Sequence, residues 1–527
     1  MSLSLIYSSF PWLSLAIWMP VFSGSLIIYL GKQDSKFSIT NIKFLSLFFS
    51  LVSFILTMLP VFLFDSNKDA FQLVEKFTWF SRFNIEYFFG VDGISLWFIP
   101  LTAFMTIIVV VAGWEVIKSK VSLYMGSFLI LSGLMIGVFS ALDGLLFYLF
   151  FEATLIPMYL IIGIWGGPKR VYAAFKFFLY TFLGSVLALL AIIYLYVDSN
   201  SFSIIDWHIL PINLNTQIYL FMAFFLAFAV KIPMWPVHTW LPDAHVEAPT
   251  GGSIVLAAIM LKLGAYGFLR FSLPITPDAS QFFSPIIIGI SLVAIIYIGL
   301  VALVQTDMKK LVAYSSVAHM GFVSLGFFLF SNLGINGGIF QMISHGFISG
   351  AMFFSIGVLY DRMHSREISD YGGVANKMPI FAVFFVFFAM SNAGLPGTSG
   401  FVGEFFVILG ALEINFWLGL LSALTLILGA AYSLWLVKRV IFGEVTNENV
   451  AKLADLNRRE FFIMTVLALF VLIIGVKPNL LTDKMDVSIN RLIDQLEYGK
   501  DFAIEERADP NIINEQLNVN FFNRASK

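Results

Sequence analysis

The chain has 527 residues, of which 59% are hydrophobic and only 12% are charged, and it contains 59 phenylalanines and no cysteine. Soluble globular proteins carry about 25% charged residues, so this composition excludes a water-soluble fold and predicts a polytopic membrane protein. The net charge of −2 gives no basis for nucleic-acid binding. Without cysteine, the chain cannot form disulfides, cysteine-ligated iron–sulfur clusters or a thiol nucleophile.

The first apolar run has no basic residue ahead of it, whereas a cleaved signal peptide starts with a basic segment. We therefore interpret this run as the first membrane helix. A helix needs about 20 apolar residues to cross the hydrocarbon core. By this criterion the sequence predicts an all-α fold with about 14 transmembrane helices, at 11–30, 44–64, 95–114, 123–141, 145–165, 173–197, 218–236, 251–271, 286–304, 311–330, 339–360, 380–412, 416–442 and 461–476.

Two of the predicted spans contain helix breakers beside an ionisable residue. Span 7 is interrupted by Pro233 and Pro236, and span 12 by Pro396 between Gly394 and Gly397. Helices five apart in an up-and-down chain run in opposite directions, so matched units around these breaks would be inverted repeats, as in transporters. The predicted organisation is an N-terminal membrane segment (1–122), a first repeat of spans 4–8 (123–271), a second repeat of spans 9–13 (286–442), span 14 (461–476) and a polar exterior tail (477–527).

Lysine and arginine are distributed unequally over the short loops, which predicts the orientation. The even-numbered loops carry Lys68, Lys76, Arg82 and Arg270. The odd-numbered loops carry many more, namely Lys32, Lys36, Lys43, Lys118, Lys120, Lys169, Arg170, Lys309, Lys310, Arg362, Arg366, Lys377, Lys438, Arg439, Lys452, Arg458 and Arg459. We expect the odd-numbered loops, here called the basic face, on the cytoplasmic or matrix side, with both termini on the opposite face.

Some ionisable side chains lie deep inside the predicted spans, where a charge is costly unless water or an opposite charge meets it. They are Glu152, Lys231, Lys262, His319, His345 and Glu404. At about 1.5 Å of rise per residue, most fall near mid-membrane, so in one bundle they would form a polar row suited to proton transfer. A structural role fits Lys231, Lys262 and Glu404 least. Glu152 could instead be a fixed ion-pair partner, and either histidine could simply be satisfied between helices.

The loop after span 7 contains His238, Asp243, His245 and Glu247. Their spacing allows a metal site, but polar residues in a proline-rich segment at a membrane edge more often cap helices and line water. We therefore expect no metal site. The sequence also has no nucleotide, flavin or haem motif.

Four segments resemble the antiporter-like subunits of respiratory complex I. They are FEATLIPMYLIIGIWGG (151–167), KIPMWPVHTWLPDAHVEAPTGGS (231–253), TDMKKLVAYSSVAHMGF (306–322) and GLPGTSGFVGEFF (394–406). The same superfamily includes subunits of membrane-bound hydrogenases and of multi-subunit Na⁺/H⁺ antiporters. Glu404 favours the M type, because the two complex I paralogues typically carry lysine at this position.

The resemblance implies a proton-translocating subunit of the membrane arm. In such a subunit Glu152 and Lys231 would form an ion pair at one half-channel, Lys262 would be the central relay with His319 beside it, and Glu404 would end the second half-channel. It implies that NADH, FMN, iron–sulfur clusters and quinone bind other subunits and that this chain holds no cofactor. The expected partners are other membrane-arm subunits, including two antiporter-like paralogues and a lateral helix, together with membrane lipids.

Three alternatives stay open at this point. An antiporter or hydrogenase subunit would show sodium dependence or different partner genes. A structural scaffold would tolerate apolar residues in place of Lys231, Lys262 and Glu404, and a small-solute permease would act without partners. The expected location is the bacterial cytoplasmic membrane, with the mitochondrial inner membrane as the alternative.

Overall fold

The computed structural model describes residues 10–32 and 38–508, and most of this part of the chain is helical. Within it, 13 helices are long and apolar enough to cross a membrane, and the number is 14 when the bent pair Ile368–Asn376 and Pro379–Asn392 is counted as one span. The predicted all-α membrane fold with about 14 spans is therefore confirmed. The end of the predicted polar tail, 509–527, lies outside the described residues.

The observed helices follow the predicted order. Spans 1 to 6 are Trp12–Lys32, Ile39–Leu63, Phe98–Val116, Val121–Ser140, Gly144–Trp165 and Arg170–Ser199. Spans 7 to 11 are Leu214–Lys231, Thr250–Ile275, Pro277–Leu303, Met308–Phe328 and Asn332–Met363. The region predicted as span 12 contains two helices, Pro379–Asn392 and Ser399–Ile414, and is followed by span 13, Phe416–Val440, and span 14, Arg458–Val476.

Polar side chains determine where several spans begin. Each accepts a hydrogen bond from a backbone N–H of the first turn, which has no partner within the helix. The capping residues of this kind are Ser38, Asp143, Asn213, Asp307 and Ser331. At the start of span 14 the caps are reciprocal, because Asn457 and Glu460 each bond the other's backbone N–H.

A two-stranded antiparallel hairpin, Gln72–Phe80 with Ile85–Val91, connects spans 2 and 3 and was not predicted from the sequence. The buried Glu75 accepts the backbone N–H of Leu13 at 2.7 Å and of Ser14 at 3.0 Å, so the hairpin caps span 1. The hairpin, which leads into span 3, thereby holds the start of span 1 in place through Glu75.

Within the described residues the predicted polar tail is helical from Asn479 to Ala508, with a kink at Gly499. Ser488 Oγ accepts the backbone N–H of Gly93 at 2.9 Å, and Asn336 Nδ2 donates to Asp486 Oδ1 at 2.7 Å. This helix therefore joins the loop before span 3 to the start of span 11 on the face opposite the basic face.

Span 7 ends at Lys231, and the helix resumes at Trp240 as a short segment, Trp240–Glu247, here called half-helix 7b. Span 12 stops at Asn392 and resumes at Ser399. In the second gap Gly394 has φ +79°, a left-handed conformation that side chains with a Cβ rarely adopt. Whether spans 4–8 and 9–13 are inverted repeats stays a prediction.

Candidate functional site

Lys231 is the last residue of span 7, and its side chain is only 2% exposed. Its Nζ lies 3.9 Å from the centre of the Phe151 ring and 3.5 Å from the Phe151 carbonyl oxygen. The aromatic face and the carbonyl both favour a buried cation. Span 8 approaches closely here, because a Cβ at Gly264 would lie 2.8 Å from the Lys231 Cβ. Glycine at this position therefore brings the turn that carries Lys262 next to Lys231.

Glu152 follows Phe151 directly, but its carboxylate does not reach Lys231. In the part of the chain that the structure describes, the two side chains form no ion pair within 4.0 Å. Glu152 Oε1 is buried there without a hydrogen-bond partner. The ion pair implied by the resemblance is thus absent from this geometry and stays a prediction.

Lys262 is fully buried in span 8, just after a π-helical turn, Leu256–Met260. Its Nζ donates to the carbonyl of Ala257 within that turn and lies 2.7 Å from His345 Nδ1. A protonated lysine only donates, so His345 accepts at Nδ1 and a neutral ring carries its proton on Nε2. The resemblance placed His319 beside Lys262, whereas the structure places His345 there.

His319 and Glu404 form the second buried contact. His319 Nδ1 lies 2.9 Å from Glu404 Oε1, and both side chains are almost fully buried. Gln341 Nε2 donates to the same carboxylate oxygen at 3.3 Å, and the Tyr432 hydroxyl lies 3.4 Å from His319 Nε2. The rings of His319 and His345 are 5.6 Å apart, centre to centre. The four ionisable groups therefore follow one another from Lys262 through the two histidines to Glu404.

Three residues that contact these ionisable groups were not identified from the sequence, because their own side chains are apolar or carry no charge at neutral pH. They are Phe151, Gln341 and Tyr432. Gln341 did carry a signal, since it is a polar amide one turn before His345 in an apolar span. Tyr432 is one of 18 tyrosines, and nothing in its sequence context separates it from the others.

The polar side chains that follow Lys231 do not come together at one site; each contacts a different part of the chain. Asp243 pairs with Lys176 at 2.6 Å, Glu247 accepts the backbone N–H of Lys169 at 2.8 Å, and His245 stacks on Phe353. Among the described residues, no three histidine, cysteine or carboxylate side chains come together as metal ligands.

Comparison with known proteins places this site in a family. The family described as NADH:quinone oxidoreductase/Mrp antiporter, TM, matches residues 141–429, which include all six candidate residues. A protein named NADH-quinone oxidoreductase subunit M from Rhodobacter capsulatus is 49% identical over 496 residues, or 91% of this chain and 96% of that protein. The chain belongs to the NADH-quinone oxidoreductase subunit M family.

Two further relatives agree with membership of the subunit M family. NADH-ubiquinone oxidoreductase chain 4 of Chondrus crispus is 48% identical over 455 residues, covering 86% of this chain and 92% of that protein. A chain in the structure of respiratory complex I from Thermus thermophilus with bound NADH is 29% identical, with a TM-score of 0.83 over 92% of this chain and 99% of that chain. Subunit M is thus favoured over the antiporter and hydrogenase alternatives.

Proposed function

We propose that this chain is a proton-translocating subunit of the membrane arm of NADH:quinone oxidoreductase and that protons move along its buried side chains. The observation that carries the proposal is the pair of direct contacts Lys262–His345, at 2.7 Å, and His319–Glu404, at 2.9 Å. Costly buried ionisable groups in this arrangement are typical of proton relays. Membership of the subunit M family supports the same function.

The contacts suggest an order of transfer. A proton on Lys262 passes to His345 Nδ1, after which both ring nitrogens of His345 carry hydrogen and Nε2 can release one. The centres of the two imidazole rings are 5.6 Å apart, a distance that one bridging water molecule can span. His319 then passes a proton from Nδ1 to the Glu404 carboxylate.

Glu152 and Lys231 would load this relay. If the Glu152 carboxylate swings towards Lys231, the ammonium form of the lysine is stabilised; if it swings away, the proton is free to move towards Lys262. The separated arrangement in this structure corresponds to the second case.

The energy for this switching would come from redox chemistry elsewhere in the complex. We place NADH, FMN, iron–sulfur clusters and quinone in other subunits, and assign no redox site to this chain. Its neighbours would be membrane-arm subunits, including two antiporter-like paralogues and a lateral helix. The membrane would be the bacterial cytoplasmic membrane, with the basic face towards the cytoplasm.

The test uses the intact complex in sealed membrane vesicles. We expect Lys231→Ala and Glu404→Ala to abolish NADH-driven proton uptake without preventing assembly. Glu413→Ala is the matched control, because Glu413 is exposed on the same helix as Glu404. Full proton uptake by assembled Lys231→Ala and Glu404→Ala complexes would refute the proposed function.

A further inference from the structure

Half-helix 7b ends on the basic face, and its last carbonyl groups are held by other parts of the chain. A helix C-terminus leaves its final carbonyls without partners in the helix. Here four different elements provide the donors. Ser253 Oγ donates to the His245 carbonyl at 3.0 Å, and the Arg366 guanidinium donates to the Val246 carbonyl. The Gly167 N–H donates to the Glu247 carbonyl at 2.8 Å, and Lys309 Nζ donates to the Ala248 carbonyl at 2.8 Å. The segment after the first break is therefore clamped on several sides.

Lys309 is the unexpected member of this clamp. The sequence indicated only a loop lysine that marks orientation, but its side chain is 3% exposed and crosses to a carbonyl 61 residues away. Its neighbour Lys310 is partly exposed, as an orientation signal would be. A cation at a helix C-terminus is favoured by the helix dipole, which offsets part of the cost of burying the Lys309 ammonium.

The backbone around Lys309 is fixed as firmly as its side chain. Asp307 Oδ1 accepts the backbone N–H of Lys309 at 2.7 Å and caps span 10. Asp307 Oδ2 also lies 3.5 Å from Arg366 Nε, the other cation of the clamp. The start of span 10 and the end of half-helix 7b therefore belong to one charged network.

This network lies between the two halves of the proton route. Half-helix 7b begins just after the break at Lys231, in the first half. Span 10 carries His319 ten residues after Lys309, about 15 Å along the same helix. A displacement of half-helix 7b would consequently be passed through Lys309 to the helix that holds His319.

We propose that Lys309 is a positioning residue for proton transfer, which holds half-helix 7b against span 10 and so couples the break at Lys231 to the His319–Glu404 pair. The proposal rests on the proposed function of the chain. Lys309 itself takes no proton from the relay in this scheme; it acts through the two helices it joins.

The test compares neighbouring lysines in the assembled complex in sealed vesicles. We expect Lys309→Met to slow NADH-driven proton uptake per assembled complex about tenfold, the effect of losing a buried hydrogen bond from a charged group. Lys310→Met should behave as wild type. Lys309→Arg should restore most of the rate, because a guanidinium also donates to a carbonyl, and the KM for NADH should not change.

Wild-type proton uptake by an assembled Lys309→Met complex would overturn the inference, as would an equal loss with Lys309→Arg. If Lys309→Met does not assemble, Lys309→Gln replaces it in the same proton-uptake measurement. Its side chain is polar but too short for the same contact, so the same loss of uptake is expected. Failure of both to assemble would make Lys309 a folding residue and would also overturn it. If Lys231→Ala and Glu404→Ala stop pumping while assembled Lys309→Met pumps normally, this inference alone fails.

Discussion

The two helix breaks place their ionisable residues in opposite surroundings. At the first break the Lys231 ammonium meets an aromatic ring and a carbonyl oxygen, and the nearest candidate carboxylate, Glu152, is not within ion-pair distance. At the second break the Glu404 carboxylate is already bonded by His319 and Gln341. Among the described residues, the first break keeps its lysine and its candidate carboxylate beyond ion-pair distance, whereas the second holds its carboxylate in direct contact with a histidine.

The difference suggests a division of roles. At about 4 Å and an effective dielectric constant near 20, an ion pair is worth about 4 kcal/mol, so closing the gap between Glu152 and Lys231 would strongly change which groups hold protons. At the second break the acid is already in hydrogen-bond contact with the histidine that would deliver its proton. The first break is therefore the part of the subunit where the Glu152–Lys231 separation can switch the protonation of the lysine. The second break is the part that holds a proton until it is released.

Among substitutions that keep the size of the side chain, the largest effect is expected where the two halves meet. Lys262→Met removes the only contact of His345 Nδ1 with an ionisable group among the described residues, and should lower NADH-driven proton uptake about 100-fold, the scale of a lost acid–base group. Uptake should be measured in vesicles and normalised to assembled complex. If more than half of the uptake remained, the halves would not communicate through Lys262.

Loss of the paired acid at the second break should have the next largest effect. Glu404→Gln keeps the shape of the side chain but removes the charge that His319 bonds, and uptake should fall about 30-fold. Glu413→Gln, on the exposed side of the same helix, is the control and should leave uptake unchanged. Equal behaviour of the two variants would remove Glu404 from the route.

A smaller effect is expected from the unpaired acid at the first break. Glu152→Gln removes the charge that would pull a proton onto Lys231, and should lower uptake about tenfold while Lys231 remains able to relay protons. Glu152→Asp should retain more activity than Glu152→Gln. If the shorter acid were no better than the amide, the charge of Glu152 would not be what matters.

The smallest of the four effects should come from Gln341, which only orients its neighbours. Gln341→Leu removes one neutral donor to Glu404, and uptake should fall about threefold, as expected for one hydrogen bond. Gln305→Leu, at the basic face, is the control, because its amide bonds only a backbone carbonyl in the described contacts. An effect as large as that of Glu404→Gln would indicate that Gln341 takes part in proton transfer and does not only orient Glu404.

The sequence predicted the site residues better than their contacts. Lys231, Lys262 and Glu404 could be identified because a charge inside an apolar run is a signal in its own right. The contact of Lys262 with His345 could not, because it depends on the π-helical turn before Lys262 and on the register between spans 8 and 11. Two helices end just before the predicted breakers, at Lys231 ahead of Pro233 and at Asn392 ahead of Gly394.

Features whose partners are distant in sequence were missed. The hairpin that caps span 1 has strands of nine and seven residues whose burial does not alternate, so no period of two marks them in the sequence. Lys309 has the sequence context of a loop lysine, and only the fold brings the carbonyl of Ala248 to it. Such contacts are decided by packing between elements, which local patterns do not encode.

The central claim is that protons reach Glu404 by way of Lys262 and the two histidines. Infrared difference spectroscopy of the complex, before and after NADH addition, tests it most directly by following the carboxyl band of Glu404, identified by its loss in Glu404→Gln. The account predicts that this band appears on turnover in the wild type and is absent in assembled Lys262→Met and His345→Leu complexes. A Glu404 carboxyl band of undiminished size in those two variants would contradict it.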